Sequence, residues 1–304
     1  MTATTKFLLA GALAACAVIG AGAAAQQRGF ARAGAGAWAD DAPMKHVPPP
    51  AGTRIERDIA YGGDPAQRLD VYRPAKADRA PMIVMVHGGG WWRGDKARPP
   101  VIDNKVNHWL PKGYIMVSVN YRMVPNANPL VQAGDVAAAL AYIQGHAAKW
   151  GGDPARVVLM GHSAGAHLVS LLAAAPEIAR DAGARPWLGT IALDSAAYDV
   201  VAIMERRHFD LYDRAFGTDR ALWSAASPAL RLKVAPAPML LVCSSKRADA
   251  CPPAEAFAKQ AQALGARVTT FPVDMTHGEI NALLGTGGAY TDAADAFLRS
   301  IGLN

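Results

Sequence analysis

The chain has 304 residues, of which 51% are hydrophobic, 18% charged and 7% aromatic. This balance is typical of a packed globular protein and excludes disordered, collagen-like, coiled-coil and disulfide-dense proteins. The formal charge of +6 comes from 31 Lys and Arg against 25 Asp and Glu. Because the basic residues are scattered, this charge indicates a solvated surface and no nucleic-acid-binding arm.

The first 25 residues have the pattern of a secretory signal peptide. Lys6 is the only charged side chain before Arg28, and the apolar run over residues 7–25 ends in an Ala-x-Ala site before Gln26. A transmembrane anchor is the competing interpretation, but the run is Ala- and Gly-rich and only weakly hydrophobic. We therefore expect cleavage after Ala25 and a periplasmic or secreted protein with no stable membrane insertion.

Cys16 allows a second interpretation of the same segment. The run Leu13-Ala14-Ala15-Cys16 resembles a bacterial lipoprotein signal, in which Cys16 would be lipidated. The apolar stretch continues for nine residues after Cys16, which is more typical of an ordinary signal. Residues 26–52 are rich in Ala, Gly and Pro and predict a linker, so we place the folded domain at residues 53–304.

Strand-like and helix-like segments alternate from residue 54 onwards. The predicted strands cover residues 54–61, 68–72, 81–87, 114–120, 156–160, 188–193, 239–243 and 267–273. The predicted helices cover residues 99–111, 130–150, 164–175, 253–264 and 292–301. The first two strands form a hairpin, and the rest predict a mainly parallel sheet with helices on both faces. The irregular stretch 204–230 is a candidate small cap.

Gly161-His162-Ser163-Ala164-Gly165 is the strongest chemical signal in the sequence. It matches Gly-x-Ser-x-Gly and lies between a predicted strand and a predicted helix, which is the setting of a nucleophile elbow. A serine on such a turn exposes its hydroxyl, small neighbours avoid collisions, and the helix amino terminus points at the oxyanion. We therefore predict that Ser163 is a nucleophile.

A glycine-rich loop, His87-Gly88-Gly89-Gly90-Trp91, follows the third predicted strand. Upstream of a nucleophile elbow, such glycines bring backbone N–H groups close to a developing oxyanion. We predict Gly88, Gly89 and the N–H of Ala164 as the donors. Trp91 and Trp92, with His162, are candidates to line a substrate pocket, and the alternative is that the tryptophans pack under the loop.

A serine nucleophile needs a base, and three histidines follow Ser163. His167 lies in the helix that begins after Ser163, and His208 lies in the candidate cap. His277 follows the last predicted strand, on a loop expected at the carboxyl edge of the sheet. His277 is therefore the predicted base.

The acid is expected on the loop after the strand at residues 239–243. Asp249 is the only carboxylate within residues 244–252, so we predict that Asp249 orients the imidazole of His277. Asp194 and Asp199, which follow an earlier strand, are the alternatives. Cys243 and Cys251 bracket the loop, and an even pair in an exported protein predicts a disulfide, with two free thiols as the alternative.

The order of glycine-rich loop, serine elbow, Asp and His resembles the α/β-hydrolase superfamily, specifically its HGGG-type esterases and lipases. The HGGxW form of residues 87–91 is also similar to kynurenine formamidases and related carboxylesterases, and residues 68–72, 120–122 and 151–154 resemble the same group. The resemblance implies an α/β-hydrolase fold with a small cap. It also implies a serine carboxylesterase that cleaves small or short-acyl esters through an acyl-enzyme, with no cofactor or metal.

Two other functions stay open at this point. An arylformamidase acting on N-formylkynurenine is suggested by the same HGGxW loop, although a signal peptide argues against an enzyme of cytoplasmic tryptophan breakdown. A non-catalytic binding protein of the same fold is disfavoured because candidates for all three catalytic roles are present. The expected partner is a small-molecule ester, and the sequence leaves the oligomeric state undetermined.

Overall fold

Long apolar runs form the centre of an eight-stranded sheet in the computed structural model, which describes residues 44–303. The strands are β1 (Arg54–Ala60), β2 (Arg68–Arg73), β3 (Ala80–Val86), β4 (Ile115–Val119), β5 (Gly152–His162), β6 (Gly189–Leu193), β7 (Met239–Ser244) and β8 (Val268–Val273). All eight predicted strands are present. Every residue of β3, β4, β6 and β7 is buried, because helices cover both faces of the sheet.

The strands are arranged in the order β1-β2-β4-β3-β5-β6-β7-β8. β2 pairs antiparallel with β1 and β4, and the remaining neighbours are parallel. Parallel strands bring their carboxyl ends to one edge of a sheet, where ligands bind in open α/β folds. β3 and β5 are direct neighbours, with Val86 opposite Gly161, so the loops that follow them lie side by side.

Helices pack on both faces of this sheet. They are α1 (Pro99–Trp109), α2 (Pro129–His146), α3 (Ala164–Ala174), α4 (Pro176–Asp181), α5 (Val200–Met204), α6 (Asp210–Phe216), α7 (Arg220–Ala225), α8 (Pro228–Arg231), α9 (Cys251–Ala263), α10 (His277–Leu283) and α11 (Gly288–Ser300). Because side chains alternate along a strand, Val84 and Val86 belong to one core cluster and Ile83 and Met85 to another. The five predicted helices correspond to α1, α2, α3, α9 and α11.

The stretch 204–230 is more regular than the sequence indicated. It contains α6 and α7 and the beginning of α8, and Asp219 caps α7 by accepting the N–H of Ala221. Tyr212 and Phe216 of α6 are buried in the same core cluster as Trp91. This small cap therefore packs onto the glycine-rich loop.

The predicted signal peptide, Cys16 and residues 26–43 of the predicted linker lie outside the described residues. Residues 44–53 contain no helix or strand. They are attached to α1, because the Asp103 carboxylate accepts hydrogen bonds from the His46 ring and from the Val47 N–H. Across residues 44–303, no helix is both long enough and apolar enough to cross a membrane.

Candidate active site

Ser163 lies on a sharp turn between β5 and α3. Its backbone has φ 56° and ψ −117°. Residues other than glycine rarely adopt this conformation, and it is found at functional turns. The neighbouring glycines are required by space. A Cβ at Gly161 would lie 2.4 Å from the carbonyl oxygen of Gly165, and a Cβ at Gly165 would lie 2.2 Å from that of Val86. The turn is therefore a nucleophile elbow in geometry as well as in sequence.

His277 is the first residue of α10, a helix that the sequence did not predict. Thr276 and Glu279 form a capping box, in which each side chain accepts a hydrogen bond from the other residue's N–H. This cap fixes the start of α10, and His277 is fully buried there. Its Nε2 lies 2.9 Å from Ser163 Oγ. The predicted nucleophile and the predicted base are thus at hydrogen-bond distance.

Asp194 is the carboxylate that contacts His277. Its Oδ2 lies 2.6 Å from His277 Nδ1, and its Oδ1 accepts the N–H of Ser244 at 2.8 Å. Burial alone would raise the pKa of Asp194. The hydrogen bond and charge of His277 and the charge of Arg247 outweigh burial, so the pKa of Asp194 lies well below its usual range. Asp194 is therefore ionised at neutral pH, as the acid of a Ser-His-Asp triad must be.

The structure corrects the prediction that Asp249 orients His277. The Asp249 carboxylate reaches Arg247, whose Nη2 lies 3.3 Å from Asp249 Oδ2, and the Asp249 side chain is 34% exposed. Arg247 lies between the two, because its Nη1 is 2.7 Å from Asp194 Oδ2. Asp199, the other alternative, caps α5. Of the three aspartates, Asp194 is the one placed against the histidine.

Two of the predicted oxyanion donors lie next to Ser163. A Cβ at Gly88 would lie 2.8 Å from Ser163 Cβ, and Ala164 is the first residue of α3, where a backbone N–H has no acceptor within the helix. Gly89, the third predicted donor, has a φ of +114°, so its position favours glycine.

Three buried contacts hold the glycine-rich loop in place. The ring of His87 stacks on Tyr121 with 4.5 Å between centroids, and the Tyr121 hydroxyl donates to the His87 carbonyl oxygen at 3.0 Å. At the other end of the loop, the Gln132 side-chain amide donates to the Trp91 carbonyl oxygen at 2.8 Å. The loop is therefore preorganised by side chains that the sequence did not single out.

The two tryptophans face different environments. Trp91 is 3% exposed, its Nε1 donates to His167 Nδ1 at 3.1 Å, and its ring packs against Phe216. It packs beneath the cap and not in a pocket. Trp92 is 39% exposed and borders a groove of about 640 Å³, in which the Arg214 guanidinium lies 4.4 Å from its ring centroid. Of the two, only Trp92 is placed to touch a ligand.

His162 lies against the predicted base. Its ring centroid is 4.5 Å from that of His277, and its Nε2–H donates to the His277 carbonyl oxygen at 3.0 Å. Burial, and then the charge of His277, hold the pKa of His162 well below its usual range, so its ring is neutral. With Gly88, Gly89 and Asn281 it lines a pocket of about 20 Å³.

Lys105 is a buried charged residue that sequence reasoning missed. Its Nζ donates to the carbonyl oxygens of Asn281 at 2.6 Å and Pro100 at 3.1 Å, which ties α1 to the helix that begins with His277. Burial lowers the pKa of Lys105 to about 7. The sequence pattern does indicate a buried lysine, because Lys105 falls between Ile102 and Trp109 on the apolar face of the predicted helix.

Cys243 and Cys251 are joined in a disulfide, with 5.1 Å between their Cα atoms. Cys243 lies in β7 and Cys251 begins α9. The bond therefore closes the loop that contains Arg247 and Asp249.

Part of the chain is similar in sequence to esterases. Residues 69–196 match the sequence profile of the BD-FAE family. A probable isoprenylcysteine alpha-carbonyl methylesterase of Arabidopsis thaliana is 34% identical over 39% of this chain and 28% of its own length. In Mycobacterium tuberculosis, the probable carboxylic ester hydrolase LipM is 36% identical over 40% of this chain and 30% of its own length. The carboxylesterase NlhH is 35% identical over 43% and 40%. The matches thus span less than half the length of these relatives.

Solved structures show the same fold over nearly the whole chain. Esterase B from Lactobacillus rhamnosis has a TM-score of 0.68 and 23% identity, covering 93% of this chain and 94% of that structure. Esterase 2 from Thermogutta terrifontis has a TM-score of 0.66 and 24% identity, covering 85% and 96%. The predicted α/β-hydrolase fold is confirmed.

Proposed function

We propose that this chain, with its α/β-hydrolase fold, is a serine carboxylesterase that cleaves small esters through an acyl-enzyme. The observation that carries the proposal is the chain of contacts from Ser163 Oγ through His277 to Asp194, with distances of 2.9 Å and 2.6 Å. The names of the curated relatives support it, since the three described above are esterases or ester hydrolases.

The proposed reaction follows from the directions of these hydrogen bonds. Ser163 Oγ–H donates to His277 Nε2, so the ring proton of neutral His277 is on Nδ1 and is donated to Asp194. When Oγ attacks the ester carbonyl, its proton moves to Nε2, and the ionised Asp194 stabilises the imidazolium. The tetrahedral oxyanion accepts hydrogen bonds from the N–H groups of Gly88, Gly89 and Ala164.

His277 then returns the proton to the departing alcohol, which leaves an acyl group on Ser163. A water molecule that donates a proton to Nε2 attacks this acyl-enzyme. When the second tetrahedral intermediate collapses, His277 returns that proton to Ser163 Oγ and the carboxylic acid is released. Each step uses the same base and the same donors.

We propose short-acyl esters as the preferred substrates. The pocket bordered by Gly88, Gly89, His162 and Asn281 has about 20 Å³ and is also lined by Arg93, Asp95 and Arg98. A lining that carries these charges does not offer a long alkyl chain an apolar site.

The test is a series of p-nitrophenyl acetate, butyrate, octanoate and palmitate on the purified protein. We expect kcat/KM to be highest for acetate and to fall along the series. An organophosphonate probe should add one adduct, located on Ser163 by mass spectrometry. Ser163→Ala should lose both activity and adduct, while Ser224→Ala in the cap keeps both. Absence of turnover and of an adduct on Ser163 would contradict the proposal.

We also propose that the chain is exported and that its signal peptide is removed after Ala25. The disulfide between Cys243 and Cys251 supports export, because such bonds persist in oxidising compartments. Fractionation of the producing cells and amino-terminal sequencing test this. A mature protein that begins at Gln26 outside the cytoplasm is expected. A lipidated chain beginning at Cys16, or an uncleaved cytoplasmic chain, would contradict it.

A further inference from the structure

We propose that Arg247 is a positioning residue of the catalytic site, which holds the Asp194 carboxylate on His277 and places a positive charge beside its ring. This inference rests on the proposed function. The Arg247 side chain is 2% exposed, so its charge is held inside the protein at the triad. A loop of Ser, Lys and Arg would be expected to lie in solvent, but the Arg247 side chain is buried.

The contacts show how Arg247 acts on the carboxylate. Arg247 Nη1 donates to Asp194 Oδ2 at 2.7 Å, and the same oxygen accepts the His277 Nδ1–H at 2.6 Å. Two donors therefore converge on one oxygen atom. The other oxygen, Oδ1, accepts the N–H of Ser244 at 2.8 Å. Donors on both oxygens leave the carboxylate little freedom to rotate away from His277.

A single closed loop supplies both of these outside donors. Ser244 directly follows Cys243, and Arg247 is four residues from each end of the loop that the Cys243–Cys251 disulfide closes. The disulfide thus limits the positions of a backbone N–H and of a guanidinium that hold the same carboxylate. In this way a covalent loop on β7 positions an acid that follows β6.

The guanidinium also acts on His277 through its charge. Arg247 Nη1 lies 2.9 Å from His277 Nδ1. Both nitrogens carry hydrogens when Nε2 accepts from Ser163, so this contact brings a positive charge next to the ring and is not a hydrogen bond in that state. A nearby positive charge disfavours the imidazolium form. Arg247 therefore opposes part of the effect of Asp194 on the base.

Asp249 contacts Arg247 through the guanidinium nitrogen Nη2. Its Oδ2 lies 3.3 Å from Arg247 Nη2, so the charges alternate from Asp249 through Arg247 to Asp194 and His277. Removing the Asp249 charge leaves the charge of Arg247 less compensated. The two substitutions at Arg247 and Asp249 should therefore move the acidic limb of the pH dependence of kcat/KM in opposite directions.

Other ionisable groups lie around His277. The pKa of His162 is lowered by burial, and the pKa values of Tyr212 and Tyr290 are raised by burial, so none of these three changes its charge near neutral pH. Lys105 does, since burial brings its pKa to about 7. Lys105→Met therefore serves as the control for the change of charge at Lys105.

The experiment compares Arg247→Met, Arg247→Lys and Asp249→Asn by the pH dependence of kcat/KM for p-nitrophenyl acetate. For Arg247→Met we expect the acidic limb to move up by roughly one pH unit and kcat to fall about tenfold with KM nearly unchanged. Arg247→Lys keeps the positive charge, so the acidic limb should stay in place. This variant should retain part of the wild-type kcat. Asp249→Asn should move the limb to lower pH by a fraction of a unit, with kcat lowered less than tenfold.

The result that overturns the inference is a loss of kcat in Arg247→Met with an unmoved limb, because a purely structural role gives that pattern. A limb that moves equally in Arg247→Lys, or one that moves only in Lys105→Met, also overturns it. So does a fall of about a thousandfold in Asp249→Asn, which would make Asp249 the acid. If Arg247→Met does not fold, the opposite shift in Asp249→Asn still decides.

A readout independent of turnover separates this inference from the proposed function. The imidazole signals of His277 can be followed by NMR during a pH titration of the wild type and the same variants. If the wild type hydrolyses no ester and Ser163 takes no phosphonate, the proposed function fails. The NMR shifts in the variants then still support or overturn the effect of Arg247 on His277.

Discussion

The backbone N–H of Ser163 donates to the carbonyl oxygen of Leu193 at 2.9 Å. This bond continues the pairing of β5 with β6 into the nucleophile elbow, so Asp194, the next residue after Leu193, begins beside the nucleophile. Asp194 itself has a φ of 56°. Both the serine and the aspartate thus leave adjacent strands on tight turns, and His277 lies between their side chains.

The first prediction follows from this placement. Asp194→Asn should lower kcat for p-nitrophenyl acetate by about 10³–10⁴-fold, because an amide cannot hold the Nδ1–H form of His277 as a carboxylate does. Arg247 worsens the defect, since its N–H can then be accepted by Nδ1, which leaves the ring proton on Nε2 facing Ser163. Steady-state kinetics measure this.

Asp249→Asn is the matched control for that measurement, since Asp249 is an aspartate of the neighbouring loop that contacts Arg247. A smaller loss of kcat in Asp194→Asn than in Asp249→Asn would identify Asp249, and not Asp194, as the acid.

Much of this architecture can be predicted from sequence, for reasons that are local. The strand β3 is an uninterrupted apolar run, and β5 contains the apolar run 157–160 directly before the elbow. The elbow is a short motif whose glycines are forced by backbone contacts of 2.2–2.4 Å. His277 can be chosen by its order along the chain after the last strand. The strands and the elbow are determined by contacts between residues close in sequence. The position of His277 follows from the order of strands, which is common to proteins of this fold.

The acid could not be chosen in the same way. Asp194 and Asp249 follow β6 and β7, which are neighbouring parallel strands, so both begin at the same edge of the sheet. Which carboxylate reaches His277 depends on the path of the loop closed by Cys243 and Cys251 and on Arg247, which occupies the space between them. Spacing along the chain does not resolve a difference of a few ångströms.

The second prediction concerns the pH dependence of stability. Burial lowers the pKa of Lys105 to about 7 in the folded protein, while an unfolded lysine has a pKa of about 10.4. Between these values the unfolded chain binds more protons, so the free energy of unfolding should rise with pH from about 7 to about 10. Below about pH 7 the lysine is protonated in both states and contributes no slope.

Urea unfolding of the wild type and of Lys105→Met at several pH values measures this contribution. The difference between the two proteins should change with pH over that interval, since the other titrating groups are common to both. A difference that stays constant with pH would show that the lysine keeps its proton throughout. The hydrogen bonds to Asn281 and Pro100 would then outweigh the burial.

The third prediction concerns the disulfide. Its two cysteines are eight residues apart in sequence, and closing so short a loop stabilises a protein by roughly 2–3 kcal/mol in the chain-entropy model. The double variant Cys243→Ala, Cys251→Ala should therefore unfold at a temperature about 5–10 °C lower. Dithiothreitol should lower the unfolding temperature of the wild type and leave that of the double variant unchanged. Equal sensitivity of both proteins to the reductant would contradict this.

The last prediction separates the two tryptophans. Trp91→Ala removes a buried ring that packs on Phe216 and leaves His167 without its donor, so it should lower the free energy of unfolding by about 3–5 kcal/mol. Trp92→Ala removes an exposed ring beside the groove at Arg214 and should change stability by less than about 1 kcal/mol.

Substrate preference should depend on Trp92 and not on Trp91, which is the reverse of their effects on stability. Among esters of acetic acid with alcohols of increasing size, Trp92→Ala should change the order of KM values, because its ring forms one wall of the groove at Arg214. Trp91→Ala, measured at a temperature where it is folded, should keep the wild-type order. A changed preference in Trp91→Ala with an unchanged one in Trp92→Ala would mean that the buried ring, and not the exposed one, shapes the substrate site.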